Sequence, residues 1–131
     1  MHGLNLEPEQ GEIRDIVSPG PGNCVSLTLP YENVTEVMFD LGQHGVRAET
    51  VAHNVVKQAR DYLTSEAAVG PHMADQLLLP MALLGGGVFT TSDITQHTRT
   101  NIDIIRRFLD VDISMTQTAR KCWSVEVIKE N

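Results

Sequence analysis

The stretch Ala67-Ala-Val-Gly70-Pro71-His-Met-Ala-Asp75-Gln-Leu-Leu-Leu-Pro80-Met-Ala-Leu-Leu-Gly85-Gly-Gly87 fixes the architecture of the second half of the chain. Small residues and the Gly70-Pro71 pair break whatever precedes them. Met73, Ala74, Leu77, Leu78, Met81 and Ala82 then fall on one side of a helix spanning about 72–84. Gly85-Gly-Gly87 stops it, because three glycines hold a helix poorly and supply positive φ without a Cβ penalty.

Working outward, a second pattern of the same kind covers 48–63. Ala48, Val51, Ala52, Val55, Val56, Ala59, Tyr62 and Leu63 recur at i, i+3, i+4, i+7, with Glu49, Asn54, Lys57, Arg60 and Asp61 opposite. Before it, Cys24 to Leu29 alternates with period two, and Val34 to Leu41 reads as its partner across Pro30-Tyr-Glu-Asn33. Residues 7–23 are loop-rich. After the glycines come a short strand at Val88–Thr91, a possible strand at Ile94–His97, and a helix from Asn101 to Leu109. On that helix Ile102, Ile105, Phe108 and Leu109 are expected to face inward. Val111–Gln117 and Cys122–Ile128 alternate and close the chain, joined by Thr118-Ala-Arg-Lys121. Strands, helix, helix, strand, helix, strands is an α+β order, with small sheets covered by helices on one face.

With 131 residues and 41% hydrophobic content, the chain is long enough for one domain or two small ones. Its net charge is -7, unevenly spread. Residues 1–66 hold ten acids against Arg14, Arg47, Lys57 and Arg60, whereas residues 67–131 hold seven acids against six bases. An acidic chain repels polyphosphates, so any nucleic-acid contact must come from local placement. The longest apolar run, Leu77–Leu84, is too short to cross a membrane. Met1–Asn5 lacks a signal-peptide pattern, so a cytoplasmic location, or a nuclear one in a eukaryote, is expected. Cys24 and Cys122 read as small buried hydrophobes.

Two constellations can carry chemistry. His72, Asp75 and Gln76 share a face in the first turn of the 72–84 helix, where free N–H groups and the dipole favour anions. A polar helix start with a dipole-complementing carboxylate accounts for the same residues. The second is Thr95-Gln-His97-Thr-Arg99-Thr-Asn101. A neutral imidazole is a competent nucleophile at phosphorus and a nearby guanidinium balances phosphate charge, although a lone histidine among threonines is also an ordinary polar residue. Ser18-Pro-Gly-Pro-Gly-Asn23 is glycine-rich but lacks a Walker lysine, and its two prolines remove donors, so it reads as a turn. His2, His44, His53, His72 and His97 show no spacing that resembles a metal-ligand set, and there is no Gly-x-Ser-x-Gly.

Taken together, Pro19-Gly-Pro-Gly-Asn23, Glu32-Asn-Val-Thr-Glu36, Gly45-Val-Arg-Ala-Glu49, Ala67-Ala-Val-Gly70, Ala74-Asp-Gln-Leu-Leu-Leu-Pro-Met-Ala82, His97-Thr-Arg-Thr-Asn-Ile102 and Arg107-Phe-Leu109 resemble the RNA 3'-terminal phosphate cyclases. The resemblance runs in order over nearly the whole chain. It implies an enzyme that uses ATP to convert an RNA 3'-phosphate into a 2',3'-cyclic phosphate, releasing AMP and pyrophosphate. On the family pattern His97 is the nucleophile that takes AMP from ATP. His72, Met73, Ala74, Asp75 and Gln76 form the nucleotide-binding stretch, with His72 where some relatives have tyrosine. A divalent cation, magnesium or manganese, is expected to travel with ATP.

Full family members have three repeated α+β units and a smaller inserted domain. The resemblance therefore implies that 1–66 is the latter part of the insert and 67–131 the last repeat. The missing amino-terminal repeats are then the natural partner, RNA 3'-phosphate ends the substrate, and the isolated chain is expected to be nearly inactive. Two other readings stay open. One is a non-catalytic cyclase-like protein of ribosome assembly, which His97 speaks against. The other is a truncated interaction module whose exposed apolar faces drive homo-oligomerisation.

Overall fold

A computed structural model describes Glu7 and residues 10–130. The readings placed on Met1–Asn5 and on His2 lie outside the described residues. The element order is β1 (Cys24–Pro30), β2 (Thr35–Leu41), α1 (Ala48–Leu63), α2 (Pro71–Leu84), β3 (Gly86–Thr91), α3 (Gln96–Phe108), β4 (Val111–Ala119) and β5 (Cys122–Lys129). The fold is α+β: β1 and β2 form one small antiparallel sheet, and β3-β5-β4 form the other. Among the described residues no helix is long and apolar enough to cross a membrane. The described residues form two compact units: one holds the chain up to Thr28 with Val37–Ala59, the other Leu29–Glu36 with the chain from Arg60 onward.

In the first unit, alternation along β2 buries Met38, while Val37, Phe39 and Leu41 stay about half exposed. The apolar stripe of α1 buries Val51, Val55 and Ala59. Polar groups beside that stripe tie helix to strand. Asn54 Nδ2 donates to Asp40 Oδ2 at 2.8 Å, and Gln58 Nε2 donates to the Phe39 carbonyl at 3.2 Å. Cys24 departs from expectation, since it is exposed on a strand whose side chains are mostly in solvent. Period-two alternation identified the strand, but Cys24 falls on the exposed side with Ser26 and Thr28, while Leu27 and Leu29 on the other side are half-buried. Cys122, by contrast, is buried as expected.

The second unit carries the main core. β5 lies between β3 and β4, antiparallel to both, with Phe89 and Met115 flanking Val125, and Gly87 and Ile113 flanking Val127. The inward side chains Phe89, Val111, Ile113, Val125 and Val127 make one apolar face. Onto it α2 sets Ala74, Leu78 and Ala82, and α3 sets Ile102 and Ile105. Each large apolar side chain buried this way contributes about 1.5–3 kcal/mol. Met73, Leu77, Met81, Leu109 and Trp123 pack around the margin. The opposite face of the sheet, with Asp112, Ser114 and Glu126 beside Val88 and Ile128, is largely solvated. The small residues before α2 run beside the edge of β3: Val69 bridges Thr91 in parallel, donating to the Thr90 carbonyl at 3.1 Å.

Two expectations for residues 94–109 need correcting. Ile94–His97 is not a strand. Thr95 is extended but its side-chain oxygen accepts from Thr98 N–H, so it caps a helix that starts at Gln96, five residues earlier than expected. The short segment offers little strand pattern, and a hydroxyl placed to satisfy a first-turn donor sets it as a helix start. Phe108 is 83% exposed rather than inward. The buried stripe of α3 runs through Thr98, Ile102 and Ile105 toward Leu109, and Phe108 lies roughly 80° round the helix from the middle of that stripe.

Both ends of α2 are built by backbone special cases. Gly70 is its N-cap, Pro71 occupies the first turn, where its missing N–H costs nothing, and Gly85 closes the helix in the left-handed region at φ 111°. Pro80 inside the helix offers no N–H to the carbonyl of Gln76. Gly86 has φ 100°, and a Cβ there would run into the carbonyl oxygen of Val127 on β5. Gly85 has open space around it. We predict that Gly86→Ala lowers the unfolding free energy by at least about 2 kcal/mol. Gly85→Ala is expected to cost about half as much, because it meets backbone strain without a collision. Chemical denaturation of the two variants checks the order; equal effects would contradict the collision.

A second polar anchor holds the start of α2. The carboxylate of Glu36, only 4% exposed, accepts from Gly70 N–H at 2.8 Å. Nearby, Tyr62 donates its hydroxyl proton to the Ala68 carbonyl at 2.9 Å, and its ring meets Tyr31 edge to face at 6.1 Å. Burial, then Tyr31 and the charge of Glu36, push the Tyr62 phenol up to about 12 from an ordinary 10.0. Raised in the folded state, this group contributes stability that is complete below pH 10 and is lost as the pH climbs toward 12. Unfolding free energy measured over that range should therefore fall more steeply for the parent chain than for Tyr62→Phe. Parallel curves would show that Tyr62 does not carry the effect.

Candidate functional site

The two stretches singled out in the sequence meet at one place. Asp75 is the fifth residue of α2 and Asn101 the sixth of α3. Asn101 Nδ2 donates twice, to the Asp75 carboxylate oxygen Oδ1 at 3.0 Å and to the Asp75 carbonyl at 3.1 Å. These bonds make the N-terminal turns of the two helices neighbours. His97 lies one turn before Asn101 on the same face of α3 (i, i+4), so it stands on the side of α3 that carries the contact with Asp75.

The face of each helix is set by its apolar stripe. On α2, Ala74 and Leu78 point into the core, which turns His72 and Gln76 out to solvent and leaves Asp75 half-buried at the margin facing Asn101. Met73 packs partly against the core and Ala74 is fully buried, so Ala74 has no side chain to offer a ligand. On α3, His97 is exposed and Thr98 is fully buried. The side chains of Thr95 and Thr98 share a hydrogen bond of 3.0 Å beneath the histidine. Thr95 Oγ1 also accepts from Thr98 N–H at 3.2 Å, and the first main-chain helical bond runs from Arg99 N–H to the Thr95 carbonyl. The N–H groups of Gln96 and His97 precede that bond, so the helix provides no acceptor for them. No acid lies in the first turn of α3, and Arg106 and Arg107 occupy its last turn, so the helix dipole is open at its positive end.

Arg99 does not join His97. Two residues apart on a helix means about 160° apart around the axis, so the guanidinium leaves from the opposite side of α3. Spacing alone did not decide this, since side chains two apart share a side only in an extended segment. Asn101, in turn, was visible in the sequence only as part of a motif. Its role needs the packing of α2 on α3, which no spacing along the chain encodes. A concavity of about 560 Å³ exists in the second unit, lined by Tyr31, Glu32, Val34, Tyr62, Glu66 and Ala68 among others. None of the expected site residues lines it. Among the described residues no group of three or more His, Cys, Asp or Glu side chains is placed to hold a metal ion.

The profile of the family described as RNA 3'-terminal phosphate cyclase matches residues 5–115. The chain belongs to the RNA 3'-terminal phosphate cyclase family. Among curated relatives, a protein of Ectopseudomonas mendocina (strain ymp) named RNA 3'-terminal phosphate cyclase is 49% identical over 108 residues, which is 82% of this chain and 32% of that protein. One of the same name from Pseudomonas fluorescens Pf-5 is 48% identical over 107 residues, 82% of this chain and 31% of that protein. The chain thus spans about a third of the length of the cyclases it matches. The matched segment contains the α2 and α3 turns, and with them His72, Asp75, Gln76, His97 and Asn101.

The cap beneath His97 is directly testable. Thr95→Ala removes the side-chain acceptor for Thr98 N–H and the hydroxyl partner of a buried threonine. It should cost about 1 kcal/mol in urea unfolding, whereas Thr95→Ser should retain most of that stability. A Thr95→Ala variant as stable as the parent would mean that the cap does not hold this turn.

Proposed function

We propose that this chain is the carboxy-terminal part of an ATP-dependent enzyme that converts an RNA 3'-phosphate to a 2',3'-cyclic phosphate, with His97 as the nucleophile. The observation that carries the reading is the pair of hydrogen bonds from Asn101 to Asp75. They set the histidine's turn beside the turn that holds Asp75 and Gln76. A nucleotide-binding group and a nucleophile must be close and mutually fixed for phosphoryl chemistry, and these two turns have that relation.

In this reading an imidazole nitrogen of His97 attacks the α-phosphorus of ATP. A P–N bond forms, the bond from the α-phosphorus to the oxygen leading to the β-phosphate breaks, and pyrophosphate leaves. An oxygen of the RNA 3'-phosphate next attacks the same phosphorus and breaks the P–N bond, returning the imidazole. The vicinal 2'-hydroxyl then gives its proton to solvent or base and attacks the 3'-phosphorus, closing the cyclic phosphate and expelling AMP. The free N–H groups and positive dipole end at the start of α3 lie where negative charge arrives and develops. Asp75 and Gln76 bind the nucleotide, His72 contacts it from the exposed side of α2, and Met73 and Ala74 pin that turn to the core. Magnesium or manganese enters as the counter-ion of ATP, with no ligand assigned from this chain.

The reading also assigns 1–66 to the latter part of the inserted domain and 67–131 to the last repeat, working in the cytoplasm, or the nucleus of a eukaryote. Leu79, Leu83 and Leu84 on α2 and Ile104 and Phe108 on α3 are exposed, between 47% and 87%. Covering such surface is what the missing repeats would do, and without them copies of the chain would associate through it. The test is incubation with ATP labelled at the α-phosphate, of this chain alone and together with the upstream part of the enzyme. Label should enter the completed protein, be nearly absent from the chain alone, and be lost in His97→Ala. Persistent labelling of His97→Ala in the completed protein would show that another residue is the nucleophile.

A further inference from the structure

We propose that Asn101 is the positioning residue of this site: it sets the orientation of the Asp75 carboxylate and couples it to the turn bearing His97. The inference rests on the cyclase reading for its catalytic meaning, but the coupling itself stands on the fold. A carboxamide has two N–H protons, and both are directed at Asp75, one at Oδ1 and one at the main-chain carbonyl. That leaves Oδ2 as the carboxylate oxygen that Asn101 does not hold. The main-chain bond fixes the height of α2 against α3, and the side-chain bond fixes the rotation of the carboxylate. With both made, neither residue has a second low-energy arrangement at the contact.

Asparagine is the side chain this arrangement requires. Aspartate has the shape but no donor, and would set two carboxylates against each other. Leucine has the volume but leaves the half-buried Asp75 without its partners. Glutamine has the donors on a stem one methylene too long for the spacing. Transmission to His97 is short, because the N–H of Asn101 bonds the carbonyl of His97 within the helix (i to i−4). Beneath the same turn the buried Thr98 and its partner Thr95 resist any compensating rotation. A change at Asn101 is therefore felt at His97 rather than absorbed by the loop before it.

The test uses a swap of roles. Asn101→Asp removes both donors, and Asn101→Ala removes the side chain. Asp75→Asn combined with Asn101→Asp restores one donor–acceptor pair between the helices in the reverse sense. In this chain, with histidine labelled for NMR, the two single variants should shift the His97 ring signals and speed amide exchange at the start of α3 by about tenfold or more. The double variant should return the ring signals toward the parent position, which general destabilisation would not do. In the enzyme completed with its upstream part, Asn101→Ala should raise KM for ATP in the labelling reaction by about tenfold or more, since Asp75 is no longer pre-set. Unchanged His97 signals in both single variants, or no recovery in the double variant, would overturn the proposal. If the parent enzyme takes up no label, the cyclase reading fails, while the NMR comparison still decides whether Asn101 couples the two turns.

Discussion

One face of the β3-β5-β4 sheet is apolar, and α2 and α3 must share it. That constraint does most of the work in the second unit. Ala74, Leu78 and Ala82 on one helix and Ile102 and Ile105 on the other are driven onto Phe89, Ile113, Val125 and Val127. Once those stripes are buried, the remaining faces of both helices have no freedom left. His72 and Gln76 must point outward, and Asp75 must sit at the seam, where Asn101 meets it. The site is a consequence of packing before it is a set of reactive groups.

Local devices then sharpen what the core has arranged. Gly70 and Pro71 start α2 at a defined residue, and the buried carboxylate of Glu36 holds the Gly70 N–H. Thr95 does the corresponding work for α3, placing His97 in the first turn of a helix whose positive end is open. Both helices therefore begin where the proposed binding residues stand. A carboxylate already occupies the Gly70 N–H at the head of α2, while the head of α3 has a hydroxyl cap and no acid. In the proposed reaction, electrostatics favour charged phosphate at the head of α3 and the neutral part of the nucleotide at α2.

Much of this was legible in the sequence, for physical reasons. The α1 and α2 stripes, the Gly85-Gly-Gly87 stop, and the alternation of β4 and β5 all depend on local periodicity and local backbone preference. They emerged close to their final bounds. What failed depended on contacts distant in sequence. Nothing along the chain said that Cys24 would lie on an uncovered strand face, or that Phe108 would miss the core stripe. The start of α3 depends on the Thr95 side chain capping Thr98 N–H, a local bond that apolar periodicity does not register. The Asn101–Asp75 contact spans 26 positions and belongs to tertiary packing alone. Family resemblance supplied both residues' motifs without supplying their relation.

The account depends most on that relation, and it can be observed without any substrate. In nuclear Overhauser spectra of the chain, both side-chain amide protons of Asn101 should be resolved and slow to exchange. Each should show cross-peaks to protons of Asp75, with further peaks joining the first turns of α2 and α3. A single averaged, rapidly exchanging Asn101 amide with no cross-peak to Asp75 would contradict the account, because the two turns would then not be held together.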